Sequence, residues 1–223
     1  MVPSGFPRLV NRPTVVVGLQ AEARIARGLG WPVVVGGGDI QGALIAARRA
    51  IADGATALIS FGLAGGLDPA LRPGDLIVAE TVLTATDRYR GSDVLNRLLG
   101  GANGQAVFAG DAVAATAIDK RRLFEMTGAV AIDLESGSVA SVATEHGVPF
   151  AVLRAICDPA ERDLPPAALI ALNQAGVIGL GRVIGSVLRH PFQLPALLAL
   201  GSDAAKARRA LMARVAELRR ITR

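Results

Sequence analysis

A chain of 223 residues with 51% hydrophobic side chains is long enough to bury one substantial core, and with only 4% aromatics that core must be built from Ala, Val, Leu and Ile. The single cysteine, Cys157, excludes an internal disulfide and any multi-cysteine metal site, which suits a reducing, cytoplasmic compartment. The formal charge of +5 does not argue for nucleic acid, because stacking aromatics are scarce and the basic residues gather near the C-terminus.

In chain order, residues 1–13 hold no apolar run long enough for a signal peptide and read as a flexible leader. Thr14 to Gly18 has the buried-strand pattern, Glu22 to Gly28 that of a short helix closed by glycine, and Pro32 to Gly36 that of a second strand. Asp39 is placed to cap a helix running to Ala52, and Thr56 to Phe61 returns as a strand, so the β-α-β order predicts a parallel sheet. A strand over Gly74 to Leu83 follows, then a polar stretch to Gly104 that reads as loop with a short helix near Val94 to Leu99. Gln105 to Phe108 and Ala129 to Ile132 are expected strands, Lys120 to Met126 and Leu134 to Glu145 helices, and Phe150 to Ile156 the last strand. The apolar region Leu164 to Leu188 is broken by Asn173, Gln174 and Arg182, so it predicts a buried or groove-lining helix rather than a membrane span. Lys206 to Arg223 reads as a basic amphipathic helix with Ala207, Leu211, Val215 and Leu218 on one face, fit either to lie on a lipid surface or to dock on the domain or a second copy.

Three strand ends carry chemistry-bearing residues. Asp158 follows the apolar run AVLRAIC and precedes a proline, which puts its carboxylate at the carboxyl end of a buried strand, where open α/β sheets bind ligands. A carboxyl half-removed from water there suits a proton donor, although an Asp-Pro turn or a helix cap gives the same pattern. The run Gly62, Leu63, Ala64, Gly65 and Gly66 follows the strand ALISF; it reads as a turn whose backbone approaches a ligand, or as a tight connection. Asp133 and Glu135 begin a helix, and Glu22 lies four residues beyond the first strand, positions at which carboxylates also serve simply as first-turn residues. Neither His146 nor His190 lies in a motif.

GLAGGLDPALRPGDLIVAE, AIDLES and RAICD, in that order, resemble the nucleoside phosphorylase and nucleosidase superfamily, above all its methylthioadenosine/S-adenosylhomocysteine nucleosidase branch, over residues 14 to 188. The resemblance implies a three-layer α/β/α fold with a central mixed, largely parallel sheet, a catalytic domain at 14–189 and a C-terminal segment at 190–223 packed on it or extending from it. It implies Asp158 as the acid that protonates a leaving purine, Glu135 as the ligand of the ribose hydroxyls and Glu22 as the residue that orients an attacking water. Leu134, where the family usually has methionine, would pack beside the sugar, and Asp133, Gly62, Leu63, Ala64, Gly65 and Cys157 complete the implied substrate site. Phosphorylases of the hexameric branch hold phosphate with Arg-x-Gly-Ser or Thr where this chain has Ser60, Phe61, Gly62 and Leu63. Arg24 and Ser60 are the candidate phosphate ligands left, and water is favoured as nucleophile. No metal and no cofactor is implied other than phosphate as a co-substrate.

GLQAEARIARGLG, FGLAGG and AIDLESGSVASVA most resemble one subfamily, the hopanoid-associated phosphorylases. That likeness implies release of adenine from adenosylhopane by a homodimer on the inner face of the cytoplasmic membrane, touching the lipid through 190–223. The alternatives are a methylthioadenosine/S-adenosylhomocysteine or futalosine-type nucleosidase, and an inactive nucleoside-binding scaffold.

Overall fold

The computed structural model describes residues 13–102, 104–172 and 191–221. Within them the strands are β1 (Pro13–Val17), β2 (Val33–Val35), β3 (Ala57–Gly66), β4 (Leu76–Val78), β5 (Thr81–Leu83), β6 (Arg88–Arg90), β7 (Ala106–Ala109), β8 (Ala131–Asp133) and β9 (Phe150–Asp158). The helices are α1 (Gln20–Ala26), α2 (Ile40–Ala52), α3 (Asp93–Leu98), α4 (Ala117–Thr127), α5 (Ser136–Glu145), α6 (Pro166–Leu172) and α7 (Leu194–Ile221). Pro13, placed in the leader by sequence, is instead the first residue of β1 and lies opposite Ala57.

One mixed sheet runs β2-β1-β3-β8-β7-β5-β6, with β9 paired to both β3 and β4. The β1–β2, β1–β3, β3–β9, β5–β7 and β7–β8 pairings are parallel, and β3–β8, β4–β9 and β5–β6 are antiparallel. Two apolar layers cover it, and strand residues feed them alternately, as a period of two requires. Val16, Leu58, Val152 and Ile156 pack on one side with Ala46, Ala47 and Ala50 of α2 and Val139, Ala140 and Ala143 of α5. Val15, Val17, Ile59, Phe61, Ala151 and Leu153 pack on the other with Ala23 and Ala26 of α1, Leu95 of α3 and Ala207, Leu211, Val215 and Leu218 of α7. The many small side chains on these helices let backbones approach the sheet closely, which is how a core poor in aromatics is filled.

The stretch expected as one strand over Gly74 to Leu83 is two. Leu76–Val78 pairs antiparallel with β9, whereas Thr81–Leu83 pairs parallel with β7. The handover falls at Ala79 and Glu80, whose N–H groups donate to Val152 O and Gln105 O on the two different partners. The expected loop beyond it holds β6, which closes a hairpin on β5. The C-terminal helix begins at Leu194, twelve residues before the expected start at Lys206, and runs through Gly201 without a break. Of Leu164 to Leu188, α6 is described and the remainder lies outside the described residues. No helix among the described residues is long and apolar enough to cross a membrane.

Candidate active site

GLAGG is not a turn. It is the carboxyl-terminal half of β3, which leaves the β9 register at a bulge between Ala64 and Gly65 and bends its last two residues onto β8. None of its glycines needs a left-handed backbone; what they supply is space. A Cβ on Gly62 would stand 2.6 Å from Glu22 Oε1 and 2.8 Å from Arg154 Nη1, and one on Gly66 would stand 3.2 Å from the Asp158 carbonyl oxygen. Gly18, at the end of β1, does the same for the other acid, since a Cβ there would overlap Glu135 Oε1.

These close approaches bring the three strand ends together. Glu22 is buried on α1; its Oε2 accepts from the N–H groups of Gly18 (3.1 Å) and Leu19 (2.9 Å), and its Oε1 accepts from Leu63 N–H at 3.0 Å. It is therefore fixed across the β1–β3 junction rather than solvated on the first turn of its helix. Arg154 of β9 is fully buried and ties the second group. Its Nε donates to Asp133 Oδ2 at 2.6 Å, and its Nη2 donates to Ser60 Oγ at 2.7 Å and Glu135 Oε2 at 3.4 Å. Among the described residues its Nη1 has no hydrogen-bond partner. Burial works against this guanidinium charge, and the Asp133 and Glu135 carboxylates outweigh it, so its pKa stands above the ordinary arginine value.

Asp133 spends its other oxygen on the local chain, accepting from Glu135 N–H, Ser136 N–H and Ser136 Oγ at 2.8–2.9 Å. Both its oxygens are engaged by the protein, and it frees Glu135 from capping work. The Glu135 side chain remains 14% exposed, and burial pushes its carboxyl up to about 8, with Arg154 opposing and Glu22, Asp133 and Asp39 adding to the rise. Leu63 and Leu134 are half-buried beside these acids.

Asp158, at the end of β9, faces the fourth residue of GLAGG: a Cβ on Gly65 would lie 3.7 Å from its Oδ2. Gly62 and Gly65 are three residues apart, about 10 Å along extended chain, so a pair formed by Glu22 and Arg154 and a single acid stand at opposite ends of one short run of backbone. Oδ2 accepts from Lys120 Nζ at 2.5 Å, and Oδ1 is buried without a partner among the described residues. Burial drives this carboxyl above the ordinary range, and Lys120 pulls it back. The Cys157 thiol is pushed up to about 12 by burial and then by Asp158, which makes it an inert packing group at neutral pH.

The remaining candidates lie elsewhere. Arg24 is exposed on α1, and Ser60 is fully buried with its hydroxyl accepting from Arg154. His146 is exposed after α5, and His190 lies outside the described residues. Sequence reasoning named neither Arg154 nor Lys120. A charged residue amid the apolar run AVLRAI was the available signal for the first, since a cation in a buried strand demands carboxylates. No group of His, Cys, Asp and Glu able to hold a metal occurs among the described residues.

The phosphorylase superfamily model matches residues 28–111 and 102–177. A search of curated proteins by sequence found no match. Among solved structures, the chain is similar to the native futalosine hydrolase of Helicobacter pylori, with a TM-score of 0.65 at 18% identity over 95% of this chain and 100% of that one. It is similar to the H. pylori 5′-methylthioadenosine/S-adenosylhomocysteine nucleosidase, with a TM-score of 0.65 at 19% identity over 93% and 99% of the two chains. The corresponding nucleosidase of Neisseria meningitidis, solved with methylthio-immucillin-A, gives 0.64 at 15% identity over 92% and 98%. At such identities the likeness concerns the fold; with the family model covering most of the sequence, the chain belongs to the phosphorylase superfamily.

Proposed function

We propose that this protein is a purine nucleosidase that cleaves the N-glycosidic bond of an adenine nucleoside carrying a bulky apolar 5′ group, adenosylhopane being the substrate of choice, with water as nucleophile. One observation carries the reading: Glu22 and Asp158 face the glycine half of β3 at Gly62 and Gly65, and Glu135 is tied to them through Arg154, while Asp158 Oδ1 has no partner among the described residues. Cleavage builds oxocarbenium character on the ribose and negative charge on the base, so it needs carboxylates at the sugar and an acid at the purine.

In this reading the ribose lies over Gly62 and the purine over Gly65. Glu135, whose carboxyl burial pushes up to about 8, takes the ribose hydroxyls. Glu22 Oε1 and Arg154 Nη1 share the space beside Gly62, the place for an attacking water that Glu22 orients and deprotonates. Asp158 gives its proton to a purine ring nitrogen as the C–N bond breaks. Ser60 is sealed under Arg154, so it would not contact a phosphate co-substrate, and the reading keeps water as the nucleophile.

Lipid contact, in this proposal, does not use the face of α7 bearing Ala207, Leu211, Val215 and Leu218, because that face is buried in the core. It falls to Phe192, Leu194 and Leu198, which are 47–79% exposed at the start of the C-terminal region. A homodimer at the inner membrane face is part of the same reading.

The deciding experiment incubates the protein with adenosylhopane or 5′-methylthioadenosine in ¹⁸O-labelled water, with and without phosphate, and follows adenine and the sugar product by mass spectrometry. Faster turnover of adenosylhopane with label in the ribosyl product is the expected result. A phosphorylated sugar would overturn the hydrolytic assignment. Preference for methylthioadenosine would favour the second reading, a nucleosidase like those whose structures this chain resembles.

A further inference from the structure

We propose that Lys120 is the positioning residue of the acid: its ammonium occupies Asp158 Oδ2, so that the exchangeable proton of Asp158 resides on Oδ1, the oxygen left without a partner among the described residues. The proposal rests on the nucleosidase reading above. Lys120 lies on α4, far from Asp158 in sequence, and is fully buried. Its Nζ donates to three oxygens, Asp158 Oδ2 at 2.5 Å, Arg162 O at 2.7 Å and Pro159 O at 3.0 Å. Three acceptors match the three N–H groups of an ammonium, and a neutral amine would leave one of them without a donor. The chain's 24 basic residues include only two lysines, Lys120 and Lys206, so an arginine-rich sequence places a lysine at this buried cation position. A planar guanidinium fork does not suit three converging acceptors, whereas a tetrahedral ammonium does.

Two of the three acceptors belong to the backbone that follows β9. The same ammonium therefore fixes Asp158 and the exit of its strand. Arg162, in that exit, donates through Nη1 to Asp203 Oδ2 of α7 at 2.6 Å, and Lys206 donates to Asp203 Oδ1 at 2.8 Å. The charged and titratable groups that face Asp158 are thus Lys120 from α4, Arg162 from the strand exit, Asp203 from α7 and Cys157 from β9 itself. Lys120 alone hydrogen-bonds the carboxylate among the described residues.

The step balances simply. The Oδ1–H bond breaks and an N–H bond forms on the purine, the electrons of the glycosidic bond pass to the purine, and water forms the new C–O bond to the sugar carbon while giving one proton to Glu22. The carboxylate left behind faces an ammonium already in place, so the acid is made stronger at the moment of transfer without any rearrangement. Solvent returns the proton after the purine departs.

The test compares full-length wild type with Lys120→Met, which keeps length and removes charge, and with Asp158→Asn. For adenine release from 5′-methylthioadenosine, Lys120→Met is expected to lower kcat about tenfold or more with KM nearly unchanged. The basic limb of its pH profile is expected to move up by about one unit, because a carboxyl that loses a neighbouring cation gives up its proton less readily. A residue that only supports the fold would lower thermal stability and leave that limb in place. In the free protein, the infrared band of the protonated carboxyl that Asp158→Asn abolishes should titrate at higher pH in Lys120→Met than in wild type. An unmoved midpoint overturns the proposal. If Lys120→Met does not fold, ¹⁵N-lysine NMR of the wild type decides: two side-chain signals are expected at neutral pH, one of them an ammonium exchanging slowly with water. A neutral amine at Lys120 would overturn the assignment. Failure of the wild type to release adenine from either nucleoside would sink the nucleosidase reading alone, since the infrared and NMR results stand without turnover.

Discussion

Glu135 shows how a residue can be tuned for a site at a cost to the fold. Burial raises its carboxyl from an ordinary 4.5 to about 8, with Arg154 limiting the rise. The folded state therefore holds this proton more tightly than the unfolded chain does, and the stabilisation that follows is complete below about pH 4.5 and lost as pH rises through about 8. Glu135→Gln has no such proton to lose. Its melting temperature relative to wild type should accordingly climb between pH 5 and pH 9, while on the proposed nucleosidase reading its activity falls, because an amide would not replace the carboxyl proposed to hold the ribose. Parallel thermal melts of the two proteins check this, and a constant difference across that range would contradict the burial of the acid. Gly62 is the second residue where the site dictates identity. The atoms that a Cβ would strike, Glu22 Oε1 and Arg154 Nη1, belong to side chains pinned by other hydrogen bonds, so neither can step aside cheaply. Gly62→Ala should reduce kcat at least tenfold, as steady-state adenine release would show, even though its backbone conformation accepts alanine.

At the scale of elements, α7 and β3 are the two whose roles differ from their local pattern. The apolar stripe of α7 is strong enough to read as a surface-seeking helix, yet all four of its named residues are core. Leu211 is fully buried against the sheet, and Leu211→Ala should cost about 2–5 kcal/mol in chemical denaturation. Gly201, on the exposed side of the same helix, has open space around it and an ordinary helical backbone. Gly201→Ala should therefore stabilise by about 0.5–1 kcal/mol, by restricting the unfolded chain and improving helix propensity. Opposite signs from two substitutions ten residues apart would distinguish a docked helix from a loosely attached tail. In β3 the glycines that suggested a turn allow the strand to continue, because bending onto β8 past Glu22, Arg154 and Asp158 leaves no room for side chains.

For the whole molecule, the C-terminal helix is part of the catalytic body. It covers Leu153 and Ala155 of β9 and, through Asp203, holds the strand exit that carries Arg162 and two acceptors of Lys120. Truncation before Pro191 should abolish cooperative unfolding and activity on adenosylhopane and methylthioadenosine alike. Circular dichroism melts alongside adenine release check this; a truncated protein that melts cooperatively and retains turnover of methylthioadenosine would show the helix to be an accessory.

The sequence by itself determined the α/β class, most of the order of strands and helices, and three carboxylates at three strand ends, because alternation, helical periodicity and capping are properties of neighbouring residues. It also carried the motifs of AIDLES and RAICD. The tertiary structure alone decided what those carboxylates touch. Whether Glu22 was solvated or clamped depended on Leu63, 41 residues away. That Asp158 is paired at one oxygen depended on Lys120, 38 residues before it. The destination of the α7 stripe was settled likewise, since an amphipathic face suits lipid, a partner or its own domain equally well. Buried charge is stabilised by partners brought together across the fold, and no local pattern records which partners those are.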